Sequence, residues 1–198
     1  MIKVIAIIAA IASGPMTFMG IDGHKEPDPS LFPDPSNLED FGPEFKHPNY
    51  YVRKQIYKGA KSCNMNPWIL MGIASRESDF RHSLNGDGGE SFTMFQIHRG
   101  FHPEYASRTS ENMTIVQACG AVSKIMRPFI DRFANVNEAI AAYNGGAGGV
   151  SRAIKKHGKG HHDKATTGGN YSEDELARSR VLKATYWHEV DINAIVSN

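Results

Sequence analysis

The sequence has few of the features that mark specialised classes of protein. It carries two cysteines in 198 residues, too few for a domain held together by disulfides. Its 22 basic and 21 acidic residues nearly cancel, so the charge gives no reason to expect a nucleic-acid partner. It contains no internal repeat and no uninterrupted apolar run of the ~20 residues that a transmembrane helix needs. What remains is a globular chain, long enough for one well-buried domain and a tail.

Residues 1–20 have the pattern of a signal peptide or a hydrophobic tether. In "MIKVIAIIAAIASG", one lysine precedes an apolar run from Val4 to Ala12, and Ala10-Ile11-Ala12 offers small residues for cleavage. The sequence therefore predicts export, with membrane association through this segment if it is not cleaved. In an exported protein Cys63 and Cys119 could pair, and two separate buried thiols are the alternative.

Residues 21–49 are too rich in proline to form a continuous helix or a central strand, because each proline removes a backbone donor. We interpret the segment as an arm or linker and expect the folded domain to span residues 50–198. The prolines are Pro27, Pro29, Pro33, Pro35, Pro43 and Pro48.

A helix buried on all sides is predicted near the start of this domain. Asn66 followed by Pro67 is a favourable helix start, with an N-cap and then proline at the first helical position. Residues 68–74 are apolar almost all round, which is typical of a helix in the middle of a domain.

Other stretches predict further helices and one short hairpin. "ESFTMFQIH" alternates as a small β element does, and the last helix opens on Ser172-Glu173-Asp174-Glu175, which we interpret as a capping box. The fold class is therefore mostly α (α+β). Helical spacing is found in "NYYVRKQIYKGAKSCN", "NMTIVQACGAVSKIMRPFIDRF", "NVNEAIAAYNGG", which two glycines stop, and "GVSRAIKKHG".

Two carboxylates in "SRESDFRHSLNGDGGESF" have the chemistry of a glycosidase. Apolar neighbours late in the buried helix would raise the pKa of Glu77, and a protonated acid can protonate a glycosidic oxygen. Asp87, in the glycine loop, could activate water on the opposite face of a sugar, as an inverting hydrolase requires of a carboxylate ~6.5–9.5 Å from the acid. The alternatives are an exposed helix-end acid for Glu77 and ordinary turn chemistry for Asp87.

Tyr143 and Asn144 in "AAYNGG" lie where a helix breaks, so both could project into a cleft. Tyrosine supplies a flat face and a hydroxyl, and asparagine supplies a donor and an acceptor, a combination that suits sugars. The alternative is a core tyrosine followed by a capping asparagine.

Taken together, these stretches resemble the goose-type lysozymes and, more distantly, the soluble lytic transglycosylases. "GIASRESDF" is similar to the family's helix ending in the catalytic Arg-Glu-Ser, and "GDGGESFTMFQIH" to its Gly-Asp loop and "GLMQVD"-like strand. "AIAAYNGGAGGV" resembles "AYNAGVGNV", and "NYSEDELARSR" resembles "DYSNDVVARAQ". The order and spacing agree from about residue 50 to residue 188.

The resemblance implies a lysozyme-like single domain with a small β-hairpin beside the active-site cleft. It implies Glu77 as the general acid and Asp87 as the carboxylate that handles the water. The implied substrate is peptidoglycan, cleaved between N-acetylmuramic acid and N-acetylglucosamine, by a monomer that needs no cofactor. A cysteine count of two, rather than several, is more similar to that of a bacterial or bacteriophage member of the family than to that of a secreted animal member. The resemblance implies Gln96, His102, Tyr143, Asn144 and Tyr171 as substrate-binding residues, and we predict Ser78 and His98 as further ones.

The chain departs from the family pattern at two positions, His98 in place of a second loop aspartate and Thr93 in place of a glycine. Because His98 replaces one of the family's two candidate water-activating acids, a lytic transglycosylase is an alternative to a hydrolase. In a lytic transglycosylase, the 6-hydroxyl of the sugar attacks in place of water. A non-catalytic glycan-binding or structural member is a further alternative. A metal site on His98 and His102 is not expected, because Gly100 interrupts the helical spacing that such a pair needs.

Overall fold

The structure, a computed structural model, describes Pro48, residues 50–133 and residues 135–186. The predicted signal segment, the predicted arm apart from Pro48, and the last twelve residues of the predicted domain lie outside the described residues. In the part that is described, no helix combines the length and the apolar character needed to cross a bilayer.

Five helices and one small hairpin confirm the mostly α prediction. The helices are α1 Tyr50–Cys63, α2 Pro67–Ser78, α3 Ile115–Arg132, α4 Val136–His157 and α5 Tyr171–Tyr186. The hairpin joins β1 Ser91–Phe92 and β2 Ile97–His98 in antiparallel register, with Ser91 opposite His98 and Phe92 opposite Ile97. Short 3₁₀ turns occupy Asp87–Gly89, Pro103–Tyr105, His162–Ala165 and Thr167–Gly169.

The buried helix predicted from the sequence is α2. The Asn66 side chain accepts a hydrogen bond from the Trp68 N–H at 2.9 Å, and Pro67 is the first helical residue. Every residue from Pro67 to Ser75 is buried. Helix α2 packs against α5 and α1, and its Gly72 lies so close to Glu175 of α5 that a side chain there would overlap the carboxyl. This close approach brings the end of α2 beside the start of α5.

Helix α4 is interrupted, as the glycines in "AYNGG" predict. Gly146 has φ +69° and ψ 145°, outside the helical region, so the chain turns there before the helix resumes. Gly145 allows a second close contact, because a Cβ there would lie 2.5 Å from the Ala165 carbonyl oxygen. The segment around Ala165 therefore packs directly along α4.

The predicted capping box at Ser172 is wrong. Ser172 lies inside α5, its hydroxyl donates to the Asp163 carboxylate at 2.7 Å, and the Glu175 side chain is fully buried. A capping box is instead formed at α3, where Thr114 and Gln117 exchange the two reciprocal bonds. At α5 a carboxylate from a preceding loop takes the capping role, which the local spacing could not reveal.

Cys63 and Cys119 are free thiols in this structure, the second of the two alternatives that the sequence left open. The Cys63 sulfur lies 3.8 Å from the Cys119 carbonyl oxygen. Burial raises the pKa of both thiols.

Candidate active site

Glu77 lies in the last turn of α2 and is partly buried. Helix α2 ends directly after it because Asp79 adopts a left-handed conformation, φ 49°, and donates its N–H back to the helix. Burial raises the pKa of the Glu77 carboxyl, a hydrogen bond from Tyr171 and the charge of Arg76 lower it, and the charge of Asp87 raises it. The net effect is a raised pKa of Glu77, which favours the protonated form of its carboxyl.

Tyr171 holds the Glu77 carboxyl in place. Its hydroxyl donates to Glu77 Oε1 at 2.5 Å, and its side chain is 2% exposed. Burial, then the neighbouring Glu77 charge, raises the pKa of Tyr171 well above its ordinary value, so the phenol remains a donor. Arg76 lies over the tyrosine ring, 5.6 Å from its centre, and pairs with Asp174 at 2.6 Å. One face of the acid is thus fixed by α5.

Tyr143 connects α4 to the hairpin on another side of Glu77. Its hydroxyl donates to the Phe95 carbonyl oxygen at 2.7 Å. Burial and then the Glu77 charge raise the pKa of Tyr143 well above its ordinary value. The charge of Glu77 therefore acts on the Tyr143 phenol, whose hydroxyl is held by the hairpin loop.

The glycine loop brings Asp87 towards Glu77. Asp87 is exposed, has φ +50°, and accepts a hydrogen bond from the Ser91 hydroxyl at 2.5 Å. Gly86 is required just before it, since a Cβ there would overlap the side-chain oxygen of Gln96. The charge of Asp87 raises the pKa of Glu77, so the two carboxyl groups influence each other electrostatically.

Comparison with known proteins identifies the family of this chain. The family model described as "Lysozyme g" matches residues 46–185. The chain belongs to the lysozyme g family. A lysozyme g from Takifugu rubripes is 28% identical to it over 150 residues, which are 67% of this chain and 74% of that protein. The predicted goose-type resemblance and lysozyme-like fold are confirmed, and membership of the lysozyme g family supports a peptidoglycan-cleaving function.

In this member of the lysozyme g family, two predicted substrate-binding residues have structural contacts. Ser78 is 3% exposed, and its hydroxyl donates to the Met94 carbonyl oxygen at 2.8 Å, which ties α2 to the hairpin loop. The Gln96 amide donates to the Leu84 and Thr93 carbonyl oxygens at 3.2 and 2.8 Å, and so holds the glycine loop to the hairpin. Substrate contact by either residue stays a prediction.

The two predicted histidines lie at the end of the hairpin, His98 on β2 and His102 in the turn that follows it. His98 Nδ1 accepts a hydrogen bond from the Gly100 N–H at 3.0 Å, which assigns the proton of the neutral imidazole to Nε2. The His102 N–H donates to the His98 carbonyl oxygen at 3.1 Å, and burial lowers the pKa of His102. Within the described ranges, no three His, Cys, Asp or Glu residues are grouped as a metal site would require.

Asn144 is exposed beside the loop that precedes α5. Its side-chain oxygen accepts a hydrogen bond from the Thr167 N–H at 2.8 Å, so the amide group is positioned by that loop. The structure thus brings Tyr171 into contact with Glu77, and Tyr143 and Asp87 interact electrostatically with the same carboxyl. It places His98, His102 and Asn144 on neighbouring segments.

Asp163 has a capping role that no local pattern in the sequence indicates. It is 5% exposed, and its carboxylate accepts hydrogen bonds from the N–H groups of Ser172 and Glu173 and from the Ser172 hydroxyl. His162, also buried, lies 3.0 Å from that hydroxyl. This cluster caps the first turn of α5, the turn that carries Tyr171 to Glu77.

Proposed function

We propose that this protein hydrolyses the β-1,4 bond between N-acetylmuramic acid and N-acetylglucosamine in peptidoglycan. The observation that carries the proposal is a partly buried acid with a raised pKa, Glu77, which is hydrogen-bonded by Tyr171 and interacts electrostatically with Asp87. The family model supports the same class of substrate.

In the proposed reaction Glu77 donates its proton to the glycosidic oxygen as the bond to the anomeric carbon breaks. A water molecule attacks that carbon from the opposite face, and Asp87 accepts the proton that the water loses. Asp87 is exposed, and its carboxylate accepts a hydrogen bond from the Ser91 hydroxyl, so the carboxylate is reachable by solvent.

Lytic transglycosylation is the second candidate, and His98 is the observation that favours it. His98 occupies the position where goose-type enzymes have a second aspartate, and its free nitrogen, Nε2, carries a proton when the ring is neutral. A donor there cannot accept a proton from water. If Asp87 alone is insufficient, the 6-hydroxyl of the muramic acid would attack and a 1,6-anhydro product would form.

We place the proposed activity outside the cytoplasmic membrane, because the polymer lies there. The signal-like pattern of residues 1–20 supports that location.

Replacing Glu77 by Gln tests the proposal, because glutamine keeps the size of the side chain and removes its transferable proton. We expect Glu77→Gln to lower kcat on peptidoglycan by at least ~10²–10⁴-fold while leaving the fold and glycan binding intact. Circular dichroism and a pull-down on insoluble peptidoglycan supply the controls. A variant that turns over as the wild type does would contradict the assignment, and absence of turnover by the wild type would favour a non-catalytic member.

A further inference from the structure

Phe101 is presented to solvent by a turn that follows the hairpin. Its side chain is 78% exposed, and in the described part of the chain Tyr51, at 64%, is the other large apolar side chain that stands in water. Leaving a phenylalanine ring exposed forgoes the free energy of burying it, so an exposed ring held in a fixed position is a candidate contact surface.

The turn fixes the Phe101 ring against His98. The two ring centres lie 4.6 Å apart with their planes inclined by 35°. The Phe101 N–H donates to the His98 carbonyl oxygen at 3.2 Å, and the Gly100 N–H donates to His98 Nδ1. A Cβ at Gly100 would lie 3.0 Å from the imidazole, so glycine leaves room for the ring. One face of Phe101 is therefore covered by His98 and the rest is open.

A continuous series of contacts leads from the loop carboxylate Asp87 to this ring. Asp87 accepts a hydrogen bond from Ser91, and Ser91 is paired with His98 across the hairpin. Phe101 stacks on His98. The exposed ring therefore extends the row of residues along which a glycan bound at Glu77 and Asp87 would lie.

We propose that Phe101 and His98 form an aromatic platform that stacks on a sugar ring of the glycan strand, away from the scissile bond. The C–H face of a pyranose is apolar and slightly positive, and it complements the negative face of an aromatic ring. His98 Nε2–H lies in the same platform and supplies a donor for a hydroxyl or acetamido oxygen. Pro103, Glu104 and Arg108, which follow Phe101 in the chain, are exposed, and two of them are charged. An apolar ring followed in the chain by charged residues complements a polymer that is polar overall but has apolar faces. A polysaccharide is such a polymer. This inference rests on the proposed function, because the glycan at Glu77 defines the direction of the strand.

Variants of Phe101 test the platform by comparing glycans of different length. We expect Phe101→Ala to raise KM for peptidoglycan and long N-acetylglucosamine oligomers by about 2- to 10-fold, with kcat unchanged, because stacking is lost in both the bound ground state and the transition state. Short oligomers that do not reach the platform should keep the wild-type KM. Phe101→Trp should retain tight binding, whereas Phe101→Leu, which is apolar without an aromatic face, should behave as the alanine variant does.

Two controls separate this inference from the proposed function. Tyr51→Ala, an exposed aromatic residue of α1, should leave every constant unchanged. Oligomer affinities measured by calorimetry in the Glu77→Gln background report stacking without turnover, and Phe101→Ala should weaken them by the same factor. If the wild type cleaves peptidoglycan but Phe101→Ala keeps its KM and affinity, the platform is wrong and the proposed function stands. If the wild type cleaves nothing but Phe101→Ala weakens oligomer binding, the platform stands and the proposed hydrolysis is wrong.

Discussion

At the scale of single residues, the properties of Glu77 come from the surroundings that the fold gives it. Burial raises its pKa, and Tyr171 and Arg76 oppose that rise through a hydrogen bond and a charge. A general acid must carry its proton, so activity is lost as the pH rises through the pKa of Glu77. The alkaline side of the pH profile therefore reports the protonation of this carboxyl.

Tyr171→Phe should move that alkaline limb to higher pH. The phenol donates to Glu77 Oε1 and so stabilises the ionised carboxylate, and its removal raises the pKa of Glu77 further. Tyr143→Phe is the matched control, because the Tyr143 hydroxyl donates to Phe95 and its loss should leave the limb in place. The measurement is kcat/KM against pH. A shift to lower pH in Tyr171→Phe would contradict the role given to this bond.

At the scale of secondary-structure elements, the loop before α5 determines where that helix begins. Asp163 accepts the N–H groups of Ser172 and Glu173, which are donors left unpaired at the start of any helix. The negative carboxylate also interacts favourably with the positive end of the helix dipole, which lies at the start of α5. A helix that starts at Tyr171 places this tyrosine against Glu77.

Asp163→Ala should lower the free energy of unfolding by about 1–2 kcal/mol, the usual effect of removing an N-cap side chain. Asp163→Asn, which can still accept from the same N–H groups, should restore part of that loss. Lys159→Ala, an exposed change in the same loop, should stay within about 0.5 kcal/mol of the wild type. Urea unfolding measures all three. If Asp163→Ala behaved as Lys159→Ala does, the cap would have no energetic role.

Glu175 is a buried carboxyl that the proposed reaction does not use. Its side chain is fully buried against α2, Ser179 donates to Oε1 at 2.9 Å, and among the described residues Oε2 has no hydrogen-bond partner. Burial raises its pKa well above the ordinary value. The native state therefore favours the protonated carboxyl and loses stability as the pH rises through the interval between the unfolded pKa, about 4.3, and the raised folded pKa.

Glu175→Gln should remove this pH dependence, because glutamine does not titrate. The variant should gain stability relative to the wild type as the pH is raised from about 4 to about 7, by at most ~1.4 kcal/mol per pH unit. Glu173→Gln, on an exposed position of the same helix, should show no such trend. Thermal unfolding across this pH range measures the difference. A gap between Glu175→Gln and the wild type that does not change with pH would contradict a raised pKa.

At the scale of the whole molecule, the sequence was sufficient for the features that depend on near neighbours. The Asn66-Pro67 start of α2, the apolar surroundings of Glu77 and the hairpin after the glycine loop all follow from residues a few positions apart. It was insufficient where partners are distant in the chain. Tyr171 and Glu77 are 94 residues apart, and only the packing of α5 on α2 brings them together.

The capping box that was wrongly predicted at the start of α5 has the same cause, a partner that is not close in the chain. Ser172 and Glu175 have the spacing of a capping box, but the Asp163 carboxylate, nine residues before Ser172, accepts the Ser172 N–H that the Glu175 side chain would have paired in such a box. Glu175 is then free to point towards Gly72 in the core. A rule based on spacing within one helix cannot predict a cap that another segment supplies. It also cannot predict that the Glu175 carboxyl is buried.

The most direct test of the central claim is mass spectrometry of the muropeptides that the wild-type protein releases from peptidoglycan. We predict products ending in reducing N-acetylmuramic acid, because Glu77 protonates the leaving oxygen and water handled by Asp87 completes the reaction. Products lighter by one water, the 1,6-anhydro form, would contradict hydrolysis and assign the attack to the sugar's own 6-hydroxyl.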